Sequence, residues 1–600
     1  MPTYNAPIAD FRFLLQEVMA YEASVASLPG LGDATMDLVC AVLEGADQFS
    51  REVLLPINRS GDAQRCRWTA EGVATPAGYS EAYAAYCEGG WPSLAGDPAF
   101  GGHGLPTSLA LFVREVVASG SMAFGMYGGL SQGAYRAISA HGSEALKRSY
   151  LPRLIDGSWT GTMCLTEPES GSDLSRLRTR AVPTDDGAYR VSGSKIFISG
   201  GDHDLAENIV HLVLARLPDA PAGTKGISLF VVPKHVPDAR TGAVDPAQRN
   251  GVVCTSIEHK MGIAASATAS LSFEDSQGWL VGEPHGGLRA MFTMMNSSRV
   301  GVAVQSVGVA ELSLQNARHY ALDRRQGRAP TASGETSRAT QADLIVMHPD
   351  VKKTLLTMKA LVEGSRAMYV ESAMALDVRA RHEDASVRAN ADAALALMTP
   401  VLKSFISDCA VQVTRLGMSV FGGHGYIHEN GMEQLLRDAS IVPLYEGTNG
   451  IQALDLVLRK LNANGGAAVE QFLADVSASI GASGQHPDTA AMGVPLSRSL
   501  GHLREAAKAM QRFAADDPVA AAAGASDTLR LFGLVACGHA WLRMAIAAAR
   551  ADGGESAAFY SGKVKTARFY MTHLLPETEA LRAAVCTHTA VIADLLPEEL

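Results

Sequence analysis

The sequence predicts a mainly α-helical protein with one central β domain. Three observations predict it. Apolar residues recur at helical spacing over most of the chain, the stretch 158–283 breaks instead into short β-rich runs divided by turn signals, and the 600-residue length exceeds what one hydrophobic core supports.

Taken in order, the N-terminal stretch carries Asp10, Arg12 and Glu17 among apolar residues, which reads as an amphipathic helix and not as a signal peptide. Met36, Val39, Val42, Leu43, Ala46, Phe49 and Val53 then fall on one helical face, and 1–157 is predicted as an N-terminal helical domain. Runs such as YRVSGSKIFIS and GISLFVVP, with the turn Asp185-Asp186-Gly187, predict a compact antiparallel, barrel-like β domain over 158–283. Helical spacing returns at Val300, Val304, Val307 and Leu312 and again at Leu355, Met358 and Val362, so 284–461 reads as a helical bundle. Within it, 327–341 is rich in Ala, Thr, Ser and Gly without periodicity, as in an exposed loop. After the break Asn462-Ala463-Asn464-Gly465-Gly466, residues 467–600 read as a further helical domain. Its most apolar stretch contains His539 and Arg543, which favours a buried core helix over a membrane span.

A net charge of −11, from 51 Lys+Arg against 62 Asp+Glu, disfavours binding to a phosphate backbone, so no nucleic-acid partner is expected. The eight cysteines are scattered without a CxxC pair, which suggests neither a metal site nor a disulfide framework, and a cytoplasmic location is the simplest reading.

Four segments carry chemistry. Met163-Cys164-Leu165-Thr166-Glu167-Pro168-Glu169-Ser170-Gly171-Ser172-Asp173 passes from a strand into a loop dense in hydroxyls, able to meet a polar ring or a phosphate, or to serve as an ordinary strand-to-turn junction. Lys195-Ile196-Phe197-Ile198-Ser199 sets one ring and one hydroxyl on one strand face, where a planar ligand or the core could take them. Phe421-Gly422-Gly423-His424-Gly425-Tyr426 is open to a pyrophosphate or to a glycine-rich helix stop, and lacks the strand that a Rossmann fingerprint requires. In Tyr445-Glu446-Gly447-Thr448-Asn449-Gly450-Ile451-Gln452, Thr448 or Asn449 can cap the following helix, with Gln452 in capping-box register to Asn449. Capping leaves Glu446 unexplained. Apolar neighbours would raise its pKa and the helix N-terminus would lower it, as suits a general base.

The order and spacing of these segments resemble the acyl-CoA dehydrogenases over roughly residues 35–460, and LTEPESGSD with LYEGTNGIQ carries the resemblance. It implies the acyl-CoA dehydrogenase fold, namely an N-terminal helical domain, a β domain and a four-helix bundle, with FAD as cofactor and no metal. It also implies cofactor contacts at Met163, Leu165, Thr166 and Ser172, at Phe197, Ile198 and Ser199, at Gly422 and Gly423, and at Thr448 and Asn449. Arg324 matches an arginine that binds FAD phosphate across a subunit interface of a homodimer. Ser172, Arg299 and Gly447 match substrate-side positions. Glu446 matches the catalytic base, and Ser298, on the helix where some members carry that base instead, is no carboxylate. Ser419 stands where the family usually has glutamine. The C-terminal addition is similar to that of an enlarged bacterial subgroup.

The implied reaction is trans α,β-desaturation of an acyl-CoA thioester, such as 3-methylmercaptopropionyl-CoA or a fatty acyl-CoA, with electron-transfer flavoprotein as acceptor. An acyl-CoA oxidase using O₂, or a DNA-binding flavoprotein of the same family, are the alternatives; acidic residues spread through 467–600 weigh against the second.

Overall fold

The computed structural model describes residues 2–238, 240–330, 342–551, 556–587 and 591–600. The chain divides into two compact units, one of residues 45–301 and one of 1–44 with 302–600.

The first unit is built round strands β1 (Arg67–Thr69), β2 (Gly72–Ala74), β3 (Trp159–Cys164), β4 (Arg180–Pro183), β5 (Tyr189–Ser199), β6 (Asn208–Arg216), β7 (Ile227–Pro233), β8 (Val252–Ile257) and β9 (Thr268–Val281). β1 and β2 form a small hairpin. The others make a seven-stranded sheet in which β4, β5, β9, β7 and β6 pair in a closed ring, with β3 added beside β6 and β8 beside β9. The module is mixed and not purely antiparallel, because β3 and β4 both run parallel to β6. The reason it reads otherwise is that β3 and β6, the main parallel pair, are buried on both faces. Such runs announce a buried strand without announcing the direction of its partner.

Alternate residues serve two cores. Val191, Ile198, Val213, Phe230, Val232, Leu271 and Phe273 cluster together. Leu212, Leu214, Leu229, Val231 and Val281 instead join Ala134, Ile138, Leu151 and Leu154 of the helices Met122–His141 and Glu144–Asp156. Two histidines lie inside this unit: His203 Nε2 is 2.9 Å from Thr160 Oγ1 and His211 Nδ1 is 2.8 Å from Thr162 Oγ1. Burial drives both pKa values down to about 3, with the Lys234 ammonium adding to the effect.

In the second unit the long helices Pro349–Arg381 and Ala385–Val420 pack with the C-terminal helix Ala525–Arg550. Two glycines allow the close approach. A Cβ at Gly364 would lie 2.4 Å from Cys537 Sγ, and one at Gly533 would lie 2.3 Å from the Phe405 ring. Trp541 Nε1 donates to the Ala360 carbonyl at 2.8 Å. The helix Ala525–Arg550 of the C-terminal addition therefore shares a core with the bundle. Ala385–Val420 and Ala525–Arg550 are long and apolar enough to cross a membrane, but 72% and 83% of their apolar windows are buried in the protein, as expected of core helices.

Asp10, read from the sequence as part of an amphipathic helix, is buried. Arg366 Nη1 meets its Oδ2 at 2.7 Å, Lys563 donates to its Oδ1, and Arg366 Nη2 meets Glu311 Oε2 at 2.7 Å. Burial alone would raise the Asp10 pKa, but the two cations hold it near 2. Lys563 also pairs with Glu363 at 2.9 Å. Of the loop expected at 327–341, residues 331–341 lie outside the described residues, and 327–330 are irregular.

Candidate active site

In the 45–301 unit, β3 delivers Met163 to the edge of the helix-facing core, where Met163 and Leu165 are half-buried. The chain then turns. Glu167 and Ser170 exchange backbone hydrogen bonds at 2.9 and 3.0 Å, and Ser170 Oγ donates to the Asp173 carbonyl at 2.8 Å. Ser172 stands exposed on this braced loop.

The loop is fastened to β5 by a buried ion pair. Lys195 Nζ, 0% exposed, donates to Glu167 Oε1 at 2.8 Å and to the Leu165 carbonyl at 2.9 Å, while Ile196 N–H donates to the Thr166 carbonyl at 2.9 Å. Thr179 Oγ1 and the Thr179 and Arg178 amides also donate to the Glu167 carboxylate, at 2.6, 3.0 and 2.7 Å. Burial would raise the Glu167 pKa, but Lys195 and these donors hold it below the ordinary carboxylate value. Burial pulls Lys195 down to about 8 against the upward pull of Glu167.

Directly after Lys195 the strand bulges. The register shifts between Lys195 and Ile198, and Phe197 takes φ 59°. Lys195 and Ile198 are consequently both buried although three residues apart. Phe197 is 60% exposed and Ser199 half-buried, so both point away from the core that takes Ile198, which is 2% exposed and can offer a ligand only its main chain. Arg299 is buried beside Phe292, 5.9 Å from the ring centroid, with Nη1 3.3 Å from Asn296 Oδ1.

In the other unit, Glu446 lies on the connection between the helices Met432–Ala439 and Asn449–Asp455. It too adopts a left-handed backbone, φ 59°, followed by Gly447 at φ 86°. For a non-glycine residue that conformation costs about 1–3 kcal/mol and persists only where its surroundings over-determine it. Here they do. Tyr445 Oη donates to Gln305 Oε1 at 2.9 Å, Gln452 Nε2 reaches the Glu446 carbonyl at 3.4 Å, and Asn449 N–H donates to the Pro443 carbonyl at 3.0 Å. The residue is half-buried, and its Oε2 is shielded from solvent.

Thr448 caps the following helix, accepting from Ile451 N–H at 3.3 Å. Asn449 neither caps nor forms a capping box with Gln452. Its amide is turned into the Ala385–Val420 helix, accepting from Lys403 Nζ at 2.9 Å and donating to Asp408 Oδ1 at 2.8 Å.

The Gly422–Tyr426 turn follows that same helix. Gly425 is needed by the fold, since a Cβ there would lie 2.0 Å from the Met418 carbonyl oxygen. Gly422 and Gly423 are exposed with nothing within 4 Å of an added Cβ, so a ligand could approach their main chain. Tyr320, whose carbonyl accepts from Arg324 N–H at 2.8 Å, packs on this turn: its ring stacks on Phe421 at 4.1 Å and its hydroxyl lies 2.9 Å from His424 Nδ1. Arg324, just past the end of the Gly287–Asp323 helix, is exposed.

The families that match follow the chain in order. They are the acyl-CoA dehydrogenase N-terminal domain at 41–158, the middle domain at 162–276, the C-terminal domain at 285–461 and the acetyl-CoA dehydrogenase C-terminal-like domain at 467–595. The chain is 41% identical over 583 residues, 96% of its length and 97% of the relative's, to the 3-methylmercaptopropionyl-CoA dehydrogenase of Ruegeria pomeroyi. It belongs to the acyl-CoA dehydrogenase family. A second relative of that family, the broad-specificity linear acyl-CoA dehydrogenase of Mycobacterium tuberculosis, is 34% identical over 537 residues, 86% of each chain. Among solved structures, the acyl-CoA dehydrogenase of Bacillus anthracis complexed with FAD shares the acyl-CoA dehydrogenase fold. It is 21% identical, with a TM-score of 0.73 over 98% of this chain and 92% of that one.

Sequence reasoning assigned no role to Glu167 or Lys195, although both stand in its chemistry-bearing segments, and it missed Lys403. Lys195 had a signal, since it takes the inward strand phase of Val191, where a cation needs a partner. Lys403 had a weaker one, a lone lysine amid the apolar run from Leu395 to Ile406.

Proposed function

We propose that this protein is an FAD-dependent acyl-CoA dehydrogenase that introduces a trans double bond between Cα and Cβ of an acyl-CoA thioester, with Glu446 as base. The observation that carries the reading is the half-buried Glu446 carboxylate on its strained turn, within the stretch matched to the family's C-terminal domain. A base carried on a braced main chain loses less freedom on reaching the proton it takes. The Glu446 main-chain N–H donates to the thioester carbonyl and stabilises the enolate-like charge that develops as the α-proton leaves.

The chain's own residues fit the cofactor. Phe197 offers an exposed ring on a braced strand, Gly422 and Gly423 leave open main chain for a pyrophosphate, and Arg324 offers an exposed guanidinium for phosphate charge. Met163, Leu165, Thr166 and Ser172 contribute the loop, Ile198 its main chain, Ser199 its hydroxyl, and Thr448 a hydroxyl beside the base. FAD, when bound, supplies the two-electron acceptor for the β-hydrogen. Ser172, Arg299 and Gly447 belong to the substrate side.

The substrate is 3-methylmercaptopropionyl-CoA or a fatty acyl-CoA, the first supported by the Ruegeria pomeroyi relative. Electron-transfer flavoprotein is the acceptor, and the enzyme works as a cytoplasmic homodimer. Anaerobic addition of a panel of acyl-CoAs to the purified yellow protein tests the reading. Bleaching by a short thioether-bearing or straight-chain thioester is expected, and an unbleached flavin across the panel would overturn it.

A further inference from the structure

We propose that Lys403 is a positioning residue for the desaturation: its buried ammonium, acting through the Asn449 side chain, fixes the turn that aims Glu446. The inference rests on Glu446 being the base.

Lys403 is 0% exposed on the Ala385–Val420 helix. Lysine is almost never fully buried without a partner, because desolvating the ammonium is costly. Its Nζ donates to Asn449 Oδ1 at 2.9 Å. At the other end of that amide, Nδ2 donates to Asp408 Oδ1 at 2.8 Å and Ser407 Oγ at 3.0 Å, and lies 3.3 Å from the Ser404 carbonyl. An amide with its oxygen on a cation and its nitrogen on an anion has one orientation, since turning it over would set like partial charges against both. The Asn449 side chain is thereby locked to one helix at a point three residues past Glu446.

Helix capping does not account for this arrangement, because Thr448 performs it. Backbone geometry does call for it. Glu446 holds φ 59° without glycine's freedom, and the Asn449 N–H to Pro443 carbonyl bond closes the turn. The anchor also reaches the C-terminal helices. Burial raises the Asp408 pKa above the usual carboxylate value, while Asn449, Arg530 of the Ala525–Arg550 helix, and Lys403 pull it back.

The test uses the full-length holoenzyme with an acyl-CoA that bleaches the wild-type flavin. Lys403→Met should lower kcat by about 10–100-fold, the scale of a small misplacement of a reacting group, with KM and flavin content little changed. Lys403→Arg should recover part of kcat. Amide hydrogen exchange across 441–452, read without turnover, should quicken in the Met variant. Asn449→Asp keeps a partner for the ammonium but sets a second carboxylate against Asp408. It should show the same kcat loss, and it serves if the Met variant does not fold. A folded variant with wild-type kcat and wild-type exchange would overturn the proposal. Glu446→Gln is measured alongside. If it turns over normally the base assignment fails, whereas an inactive Glu446→Gln beside a fully active Lys403→Met or Asn449→Asp would sink the positioning role alone.

Discussion

The segment round Phe197 and the segment round Glu446 each hold a non-glycine residue at φ 59° near a lysine with no exposed surface. They differ in where the lysine ends. Lys195 meets the Glu167 carboxylate and ties loop to strand by a neutralised pair, while Lys403 meets the Asn449 amide, which passes its constraint on towards a turn. The difference teaches that one expensive device, a desolvated ammonium, can either weld two segments or orient a third. A weld resists deformation of a binding surface; an oriented amide aims one side chain.

The comparison breaks most visibly at the base. Glu446→Gln should keep the yellow colour and lose turnover by at least about 10²-fold, the lower end for a positioned general base; wild-type rates would leave the strained turn without a catalytic purpose. At the weld, Lys195→Met leaves the Glu167 carboxylate buried without its cation and should cost about 3–5 kcal/mol in urea unfolding, with the Lys195→Met/Glu167→Gln double variant losing less than the sum. A loss under about 0.5 kcal/mol would show that the pair welds nothing.

Acid should separate the two units. His203 and His211 have folded pKa values of about 3 against 6.5 unfolded, so the unfolded chain takes protons that the folded one refuses. Their contribution is complete well above pH 6.5 and falls as pH drops, by roughly 3 kcal/mol per histidine near pH 4.5. Asp10 is depressed to about 2, so its contribution persists down to its unfolded value of 3.8 and fades only towards pH 2. Hydrogen-exchange protection, corrected for the intrinsic amide rate at each pH, should therefore fall in β6 before it does around Arg366 and Lys563 as pH goes from 7 to 4; an equal loss of protection would contradict the burial argument. The smallest effect is expected at Arg324→Ala, where losing one charge-assisted contact should weaken FAD retention about tenfold by equilibrium dialysis. Unchanged occupancy would remove that contact.

Much of the fold was legible because period is a local property. The β runs, the helical faces and the buried Ala525–Arg550 helix each announce themselves within one segment. Strand direction was not legible, since β3 and β6 pair in parallel across 49 positions and strands buried on both faces carry no sign of orientation. Within the site, the LTEPESGSD and LYEGTNGIQ segments were recognisable, and Thr448 was one of two candidate caps. The fate of Asn449 was not recognisable, because its partners Lys403 and Asp408 lie 46 and 41 residues earlier. The burial of Asp10 was not recognisable for the same reason, its partners Arg366 and Lys563 lying 356 and 553 residues away.

From the residues alone came the family, the alternation of helical and β segments and the identity of the candidate base, all of which depend on side-chain type and spacing along the chain. Which lysine meets which acceptor, the left-handed backbone at Phe197 and Glu446, and the direction of β3 came from the folded molecule. Burial decides them: a charge or a strained peptide acquires its meaning when water is removed and distant groups are the remaining partners.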